Sequence, residues 1–150
     1  MAAVMGSDPG KSGAIVVLSD DGAVDFIKLD ETEADICQWL EEVIQEHGGI
    51  REARLERVSS SPQMGVVSAF KFGRSYGQCR TLLHAYGIRF EDVTPQTWQR
   101  SMRCLTKGDK NVTKAKAQEL FPGQKITHAI ADALLRAEYC RRETSQGAVA

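Results

Sequence analysis

Val4-Met5-Gly6-Ser7-Asp8-Pro9-Gly10-Lys11-Ser12-Gly13-Ala14-Ile15-Val16-Val17-Leu18 is an apolar run that ends on a carboxylate, turns through Pro-Gly and runs apolar again. The pattern predicts a hairpin with strands over residues 2–7 and 13–18 and Asp8 at the end of the first. Pro9 cannot donate to a sheet ladder, and Gly10 and Gly13 suit a tight return. An acid fixed at the end of a central strand is well placed to hold a metal ion. Asp-Pro-Gly is also a common composition for a surface turn. What separates the two readings is whether further carboxylates arrive at the same place.

Working outward, Ser19-Asp20-Asp21-Gly22 is a hairpin turn and residues 23–29 return as a third strand. A helix is expected from about Thr32, because Ile36, Trp39, Leu40, Val43 and Ile44 recur at helical spacing and Gly48-Gly49 ends the run. Its acids read as a solvated face. Residues 53–58 form a short strand with Leu55 and Glu56 on opposite faces, followed by a polar loop, Ser59 to Gly65. A helix is expected over residues 67–86 despite Gly73 and Gly77, then a strand over 88–93 and a short helix through Trp98 and Met102. A lysine-rich stretch leads into a helix ending near Phe121-Pro122. A last helix runs from about Thr127 to Arg142, with residues 143–150 as a frayed tail. Three antiparallel strands followed by alternating helices and strands describe an α/β fold. The expectation is one domain over residues 1–150, built on a mixed five-stranded sheet with helices on both faces.

The chain has 150 residues, 42% of them hydrophobic and 26% charged, enough for one domain with a sizeable core. No apolar run approaches the roughly 20 residues of a membrane span, and the N-terminus lacks the pattern of a secretory signal. Four separated cysteines without a CxxC pair suggest free thiols in a reducing, cytoplasmic compartment. The net charge of −1 conceals a polarity. Residues 1–56 carry four Lys/Arg and thirteen Asp/Glu, giving −9; residues 57–150 carry fifteen and seven, giving +8. A basic half can track a phosphate backbone, and a few focused carboxylates can bind a divalent metal.

Three acids stand out by position. Asp8 ends the first strand, Glu56 lies on the strand after the first helix, and Asp132 sits inside the apolar run Ala129-Ile130-Ala131-Asp132-Ala133-Leu134-Leu135. A carboxylate among apolar residues is costly unless it is paired or metal-bound. If the first and fourth strands are neighbours, Asp8 and Glu56 converge and the last helix can bring Asp132 to them. Mg²⁺ or Mn²⁺ suits such an oxygen-rich cluster, and two such ions can drive phosphodiester hydrolysis.

The strand-ending Asp-Pro-Gly, the mid-chain strand Glu and the C-terminal Ala-Asp-Ala-Leu-Leu resemble the RuvC-like Holliday junction resolvases of the RNase H-like superfamily, most of all their short phage-type members. The segment Ser61 to Gly77 is similar to their Pro-Gly-Gln-Gly, Phe-Gly and Tyr-Gly segment. Val93-Thr94-Pro95-Gln96-Thr97-Trp98, Leu120-Phe121-Pro122 and Ala137-Glu138-Tyr139 are similar too. The resemblance implies an RNase H-like fold, a phage-infected or prophage-bearing bacterial host, and a homodimeric Mg²⁺-dependent endonuclease. Such an enzyme nicks two opposed strands of a four-way DNA junction, leaving a 5′-phosphate and a 3′-hydroxyl, with Asp8, Glu56 and Asp132 as metal ligands and metal-activated water as nucleophile.

The departure from that pattern is the fourth ligand. The family places an Asp or a His three residues before the last Asp, where this chain has Ala129. His128, one residue earlier, is either a displaced ligand or a helix-start histidine that meets solvent or a backbone carbonyl. Lys110 lies where related proteins carry a lysine near the scissile phosphate. Candidate DNA contacts are Gln63, Ser68, Lys71, Arg74, Tyr76, Arg80, Lys107, Lys114 and Lys116. Phe70 and Phe72 could stack at a junction centre, but helical spacing places Phe70 in the core first, leaving Tyr76 as the better aromatic contact. The alternatives are a broader flap and fork nuclease, a catalytically impaired junction-binding protein, and, well behind, an actin-like nucleotide fold, which needs a longer chain.

Overall fold

The structure, a computed structural model, describes residues 2–10, 12–57 and 61–149. Its elements are β1 (Ala3–Asp8), β2 (Ala14–Ser19), β3 (Val24–Lys28), α1 (Glu33–His47), β4 (Glu52–Glu56), α2 (Val66–Ala85), β5 (Phe90–Val93), α3 (Pro95–Ser101), α4 (Lys110–Leu120) and α5 (His128–Val149). The element order is the expected one. Lys11, Val58, Ser59 and Ser60, on which parts of the expected turn, strand and loop fall, lie outside the described residues.

The five strands form one sheet in the order β3-β2-β1-β4-β5. β1 pairs antiparallel with β2 and parallel with β4, where Ser7 faces Leu55. Strand alternation divides the residues between two layers. Met5, Ile15, Val17, Ala53 and Leu55 face α1 and α2, joining Ile36, Leu40, Leu82 and Leu83. Val4, Val16 and Leu18 face α5, joining Trp98, Ile130, Leu134 and Leu135. The same alternation turns Asp8 and Glu56 toward α5, side by side at the ends of two adjacent parallel strands. In open α/β sheets, this edge is where ligands bind.

Two close approaches fix that edge. A Cβ on Gly6 would lie 2.2 Å from the Ala133 carbonyl oxygen and 2.5 Å from the Ala137 nitrogen, so β1 and the α5 backbone meet without a side chain between them. A Cβ on Gly13 would lie 1.9 Å from the Asp8 carbonyl oxygen, and the Gly13 N–H closes the turn on the Gly10 carbonyl at 3.2 Å. Side chains cap the helix starts: Thr32, Thr94 and Asp109 accept backbone N–H groups at the heads of α1, α3 and α4.

One boundary differs. The expected frayed tail is helical to Val149, because Glu143 accepts from the buried Arg54 at 3.1 Å and Thr144 from Arg51 at 3.1 Å. All four cysteines are free. No helix among the described residues is long and apolar enough to cross a membrane.

Candidate active site

Asp8, Glu56 and Asp132 line one cavity of about 590 Å³, together with Lys110, His128 and Ala129. Each arrives on a different element. Asp8 ends β1, Glu56 ends β4, Asp132 stands at the start of the second turn of α5 and Lys110 opens α4. Gly10 and Phe72 close one wall: the Gly10 N–H donates to the buried Ser75 hydroxyl at 2.9 Å, which ties the turn after Asp8 to α2.

The electrostatics of the cavity are those of carboxylates short of positive charge. Burial pushes the Asp8 carboxyl up to about 7 from its ordinary 3.8; Arg136 opposes this, and Glu56 and Asp132 add to it. The donor set is three carboxylates and an imidazole at the cavity edge, which is the chemistry that takes Mg²⁺ or Mn²⁺. These residues fit a divalent ion. Their carboxylates are nevertheless not the tightest ligand group. Among the described residues, Asp25, Glu46 and His47 bring ligand atoms within 4.8 Å of one another, on β3 and the last turn of α1.

Arg136 is the functional residue that sequence reasoning missed. Its side chain is fully buried, one helical turn after Asp132. Nη2 donates to Glu56 Oε1 at 2.8 Å and Nη1 to the Ser7 carbonyl at 2.6 Å, and Nη1 lies 3.8 Å from Asp8 Oδ1. The guanidinium stands over the buried Trp98 ring, 5.0 Å from its centroid. The signal was available: a basic residue four positions after Asp132 shares its helix face.

Among solved structures, this chain is similar to Thermus thermophilus RuvC in complex with a Holliday junction substrate, at 16% identity and a TM-score of 0.67, with 98% of this chain and 97% of that chain covered. Another Thermus thermophilus RuvC structure matches at 18% identity and 0.66, covering 97% and 96%. The chain has a RuvC-like fold. The yeast mitochondrial Holliday junction resolvase also matches, at 14% identity and 0.56, with 95% and 80% covered. No protein-family model and no curated protein sequence matches.

Within this RuvC-like frame, His128 and Ala129 both line the cavity, His128 exposed and Ala129 half-buried. Geometry therefore brings His128 and Ala129 to the same rim. Gln63, Ser68, Lys71 and Lys107 are exposed, and Lys114 is half-buried on α4; Lys116 pairs with Glu119 at 3.5 Å.

One aromatic expectation is corrected. Phe70 is not in the core: it is 71% exposed, beside Val66 and Val67 at 86% and 67%, because α2 buries side chains only from Ser75 onward. Tyr76 is the one held inward. It packs on the α1–α2 core and donates to Asp92 at 2.6 Å, so its hydroxyl is engaged within the protein. Arg74 and Arg80 are also engaged, with Glu33 at 2.6 Å and Asp92 at 3.6 Å. Part of the sequence polarity is thus internal pairing: Arg74, Arg89 and Arg136 of the basic half meet Glu33, Glu52 and the Asp8–Glu56 pair of the acidic half.

Proposed function

We propose that this protein is a metal-dependent endonuclease that resolves four-way DNA junctions by paired nicks. The observation that carries the reading is the convergence of Asp8, Glu56 and Asp132, with Lys110, on one cavity at the strand ends of a RuvC-like fold. The Thermus thermophilus relative was solved with a Holliday junction substrate, and the yeast relative is itself a Holliday junction resolvase.

Asp8, Glu56 and Asp132 would hold Mg²⁺, or Mn²⁺ in its place. A divalent cation there supplies an activated water and neutralises charge developing on the phosphodiester. The protein does the rest. Close contact at Gly6 fixes α5 on β1, so Asp132 is presented to Asp8 without slack. Lys110 lines the same cavity, where an ammonium stabilises the negative charge that builds on the phosphate. Lys71, Lys107, Lys114 and Lys116 supply phosphate contacts around it. Phe70 presents a ring able to stack on an unpaired base. Two opposed nicks need two such sites, so the active species is a homodimer, and Val66 and Val67 offer it exposed apolar surface.

The test is incubation with a synthetic four-way junction, a flap, a fork and a linear duplex, in Mg²⁺, Mn²⁺ or EDTA. Paired nicks on the junction alone, lost in EDTA, are expected. Equal cutting of flaps and forks would replace junction resolution with a broader branched-DNA nuclease. Ala129 favours a second reading, a junction-binding protein with weakened catalysis. On that reading Ala129→Asp raises cleavage sharply while His128→Ala changes little; if His128 serves as the ligand, His128→Ala weakens metal dependence instead.

A further inference from the structure

We propose that Ser75 of α2 is a positioning residue for Asp8, a role that rests on the nuclease reading above and deepens it. Its buried hydroxyl accepts the Gly10 N–H and ties the turn after Asp8 to α2, so that it governs the rate of cleavage and not the affinity for the junction.

The turn has space on two sides. Gly10 lines the catalytic cavity of about 590 Å³ and also, together with Ser75, a second cavity of about 260 Å³. Packing alone leaves such a turn free to shift, and hydrogen bonds hold it instead. The Gly10 N–H donates to Ser75 Oγ at 2.9 Å, the Gly13 N–H to the Gly10 carbonyl at 3.2 Å and the Leu29 N–H to the Gly13 carbonyl at 3.0 Å. Of these three bonds, only that to Ser75 leaves the first three strands and their turns. Asp8 stands two residues away. Pro9, the one residue between them, has a fixed φ, and a Cβ on Gly13 would lie 1.9 Å from the Asp8 carbonyl oxygen. A shift of the Gly10 peptide is therefore passed to the end of β1 with little slack.

The choice of serine points the same way. Alanine is the better helix former and has no hydroxyl to bury, so helix formation and packing do not ask for a serine here. The Gly10 N–H does, because a buried backbone donor needs an acceptor. Phe72, three residues earlier on the same face of α2, lies against the same glycine: its Cε1 and Cζ are 3.3 and 3.4 Å from where a Gly10 Cβ would stand. Ser75 is also the first buried residue of α2, where the helix passes from its exposed turns, with Phe70 and Lys71, to its packed ones. At 7% exposure it is out of reach of DNA and acts on the site through Gly10.

The experiment compares the full parent chain with Ser75→Ala and Ser75→Thr. It reads nicking of a saturating four-way junction in Mg²⁺, junction affinity by gel shift, and hydrogen exchange of the Gly10 amide by nuclear magnetic resonance without DNA. Ser75→Ala should nick at least about tenfold more slowly, because Asp8 is no longer held in register. Its junction affinity should stay within about twofold of the parent's, the mark of a loss confined to the catalytic step. Its Gly10 amide should exchange at least about tenfold faster, while core amides of β2 and α5 keep their parent rates. Ser75→Thr keeps the acceptor oxygen, and the second cavity beside it has room for the added methyl group, so rate and Gly10 protection should both return. A serine that merely fills space predicts the reverse order, with threonine worse than alanine. Ser75→Ala at the parent rate, a loss that lies in junction affinity, or Ser75→Thr no better than Ser75→Ala would overturn the proposal. So would an unprotected Gly10 amide in the parent. If Ser75→Ala does not fold, the parent's Gly10 protection and the Ser75→Thr rate decide. A parent chain that nicks no junction removes the nuclease reading, whereas the exchange rates still show whether Ser75 holds the turn.

Discussion

α5 and α2 are the two longest helices, 22 and 20 residues, and they lie on opposite faces of the same sheet. α5 is buried from Ile130 to Cys140 with Asp132 the one half-exposed position in that run, and it meets β1 backbone to backbone at Gly6. α2 buries only Ser75, Cys79, Leu82 and Leu83, and its first turns expose Val66, Val67 and Phe70. The difference shows how a helix acquires its task. Where a helix is pinned to the central strands, its few polar residues are forced onto the strand ends, and Asp132 and Arg136 become part of the site. Where a helix projects, its apolar residues face outward and its glycines meet open space.

The largest effects should come from the pinned side. Asp8→Asn, Glu56→Gln and Asp132→Asn each remove one ligand charge at nearly unchanged shape. Each should lower junction nicking roughly a thousandfold or more while sparing gel-shift affinity. Phe70→Ala on α2 should do the opposite, weakening junction binding with little change in the rate at saturation. Near-normal cutting by any one of the three carboxylate variants would remove that residue from the site and blur the contrast between the helices.

Glycine substitution tests the same contrast through stability. Gly6→Ala drives a methyl group into the α5 backbone and should cost about 3 kcal/mol or more in urea unfolding. Gly73→Ala on α2 meets nothing within 4 Å, so helix propensity alone should stabilise the protein by about 0.5–1 kcal/mol. Equal responses at the two glycines would contradict the division into a pinned and a projecting helix.

The pinned side should also respond to pH. In the folded chain the Asp8 carboxyl sits at about 7, above its ordinary 3.8, because burial outweighs the pull of Arg136. The folded state therefore binds the proton more tightly than the unfolded chain. The sign follows: metal-free stability has its full Asp8 contribution below pH about 4 and loses it as pH rises to about 7. Divalent binding should run the other way, strengthening as pH rises through about 7, because the ion displaces that proton. Asp8→Asn should flatten both dependences, measured by thermal melts and Mn²⁺ titration across pH.

Smallest are the lysines outside the cavity. Replacing Lys71, Lys107 or Lys114 with Ala should each reduce the slope of log affinity against log salt by about one, the mark of one lost phosphate contact. Arg74→Ala and Arg80→Ala should change it less, since both cations are already engaged with Glu33 and Asp92.

The sheet was legible because its signals are local. Asp8-Pro-Gly10 and Asp20-Asp21-Gly22 mark turns, and the alternation around Glu56 assigns it a face. Asp132 was legible because a lone acid in an apolar helix demands a partner. Arg136 was not, because the apolar run was read only to Leu135, and a basic residue just past it looks like a helix-end cation. Phe70 was misplaced for a different reason. Helical spacing says which residues share a face but not whether that face meets the sheet, and α2 buries side chains only after Phe70, from Ser75 onward. The partner of the Tyr76 hydroxyl was not legible, because the Asp92 carboxylate that holds it is 16 residues away.

The most direct test of the central claim, that the Asp8–Glu56–Asp132 cavity is the divalent-cation site, is anomalous diffraction from crystals of the protein soaked in Mn²⁺. A Mn²⁺ peak is expected inside the cavity, bonded to Asp132 and lost in Asp132→Asn crystals. A peak at Asp25, Glu46 and His47, with none between Asp8, Glu56 and Asp132 at saturating Mn²⁺, would contradict it.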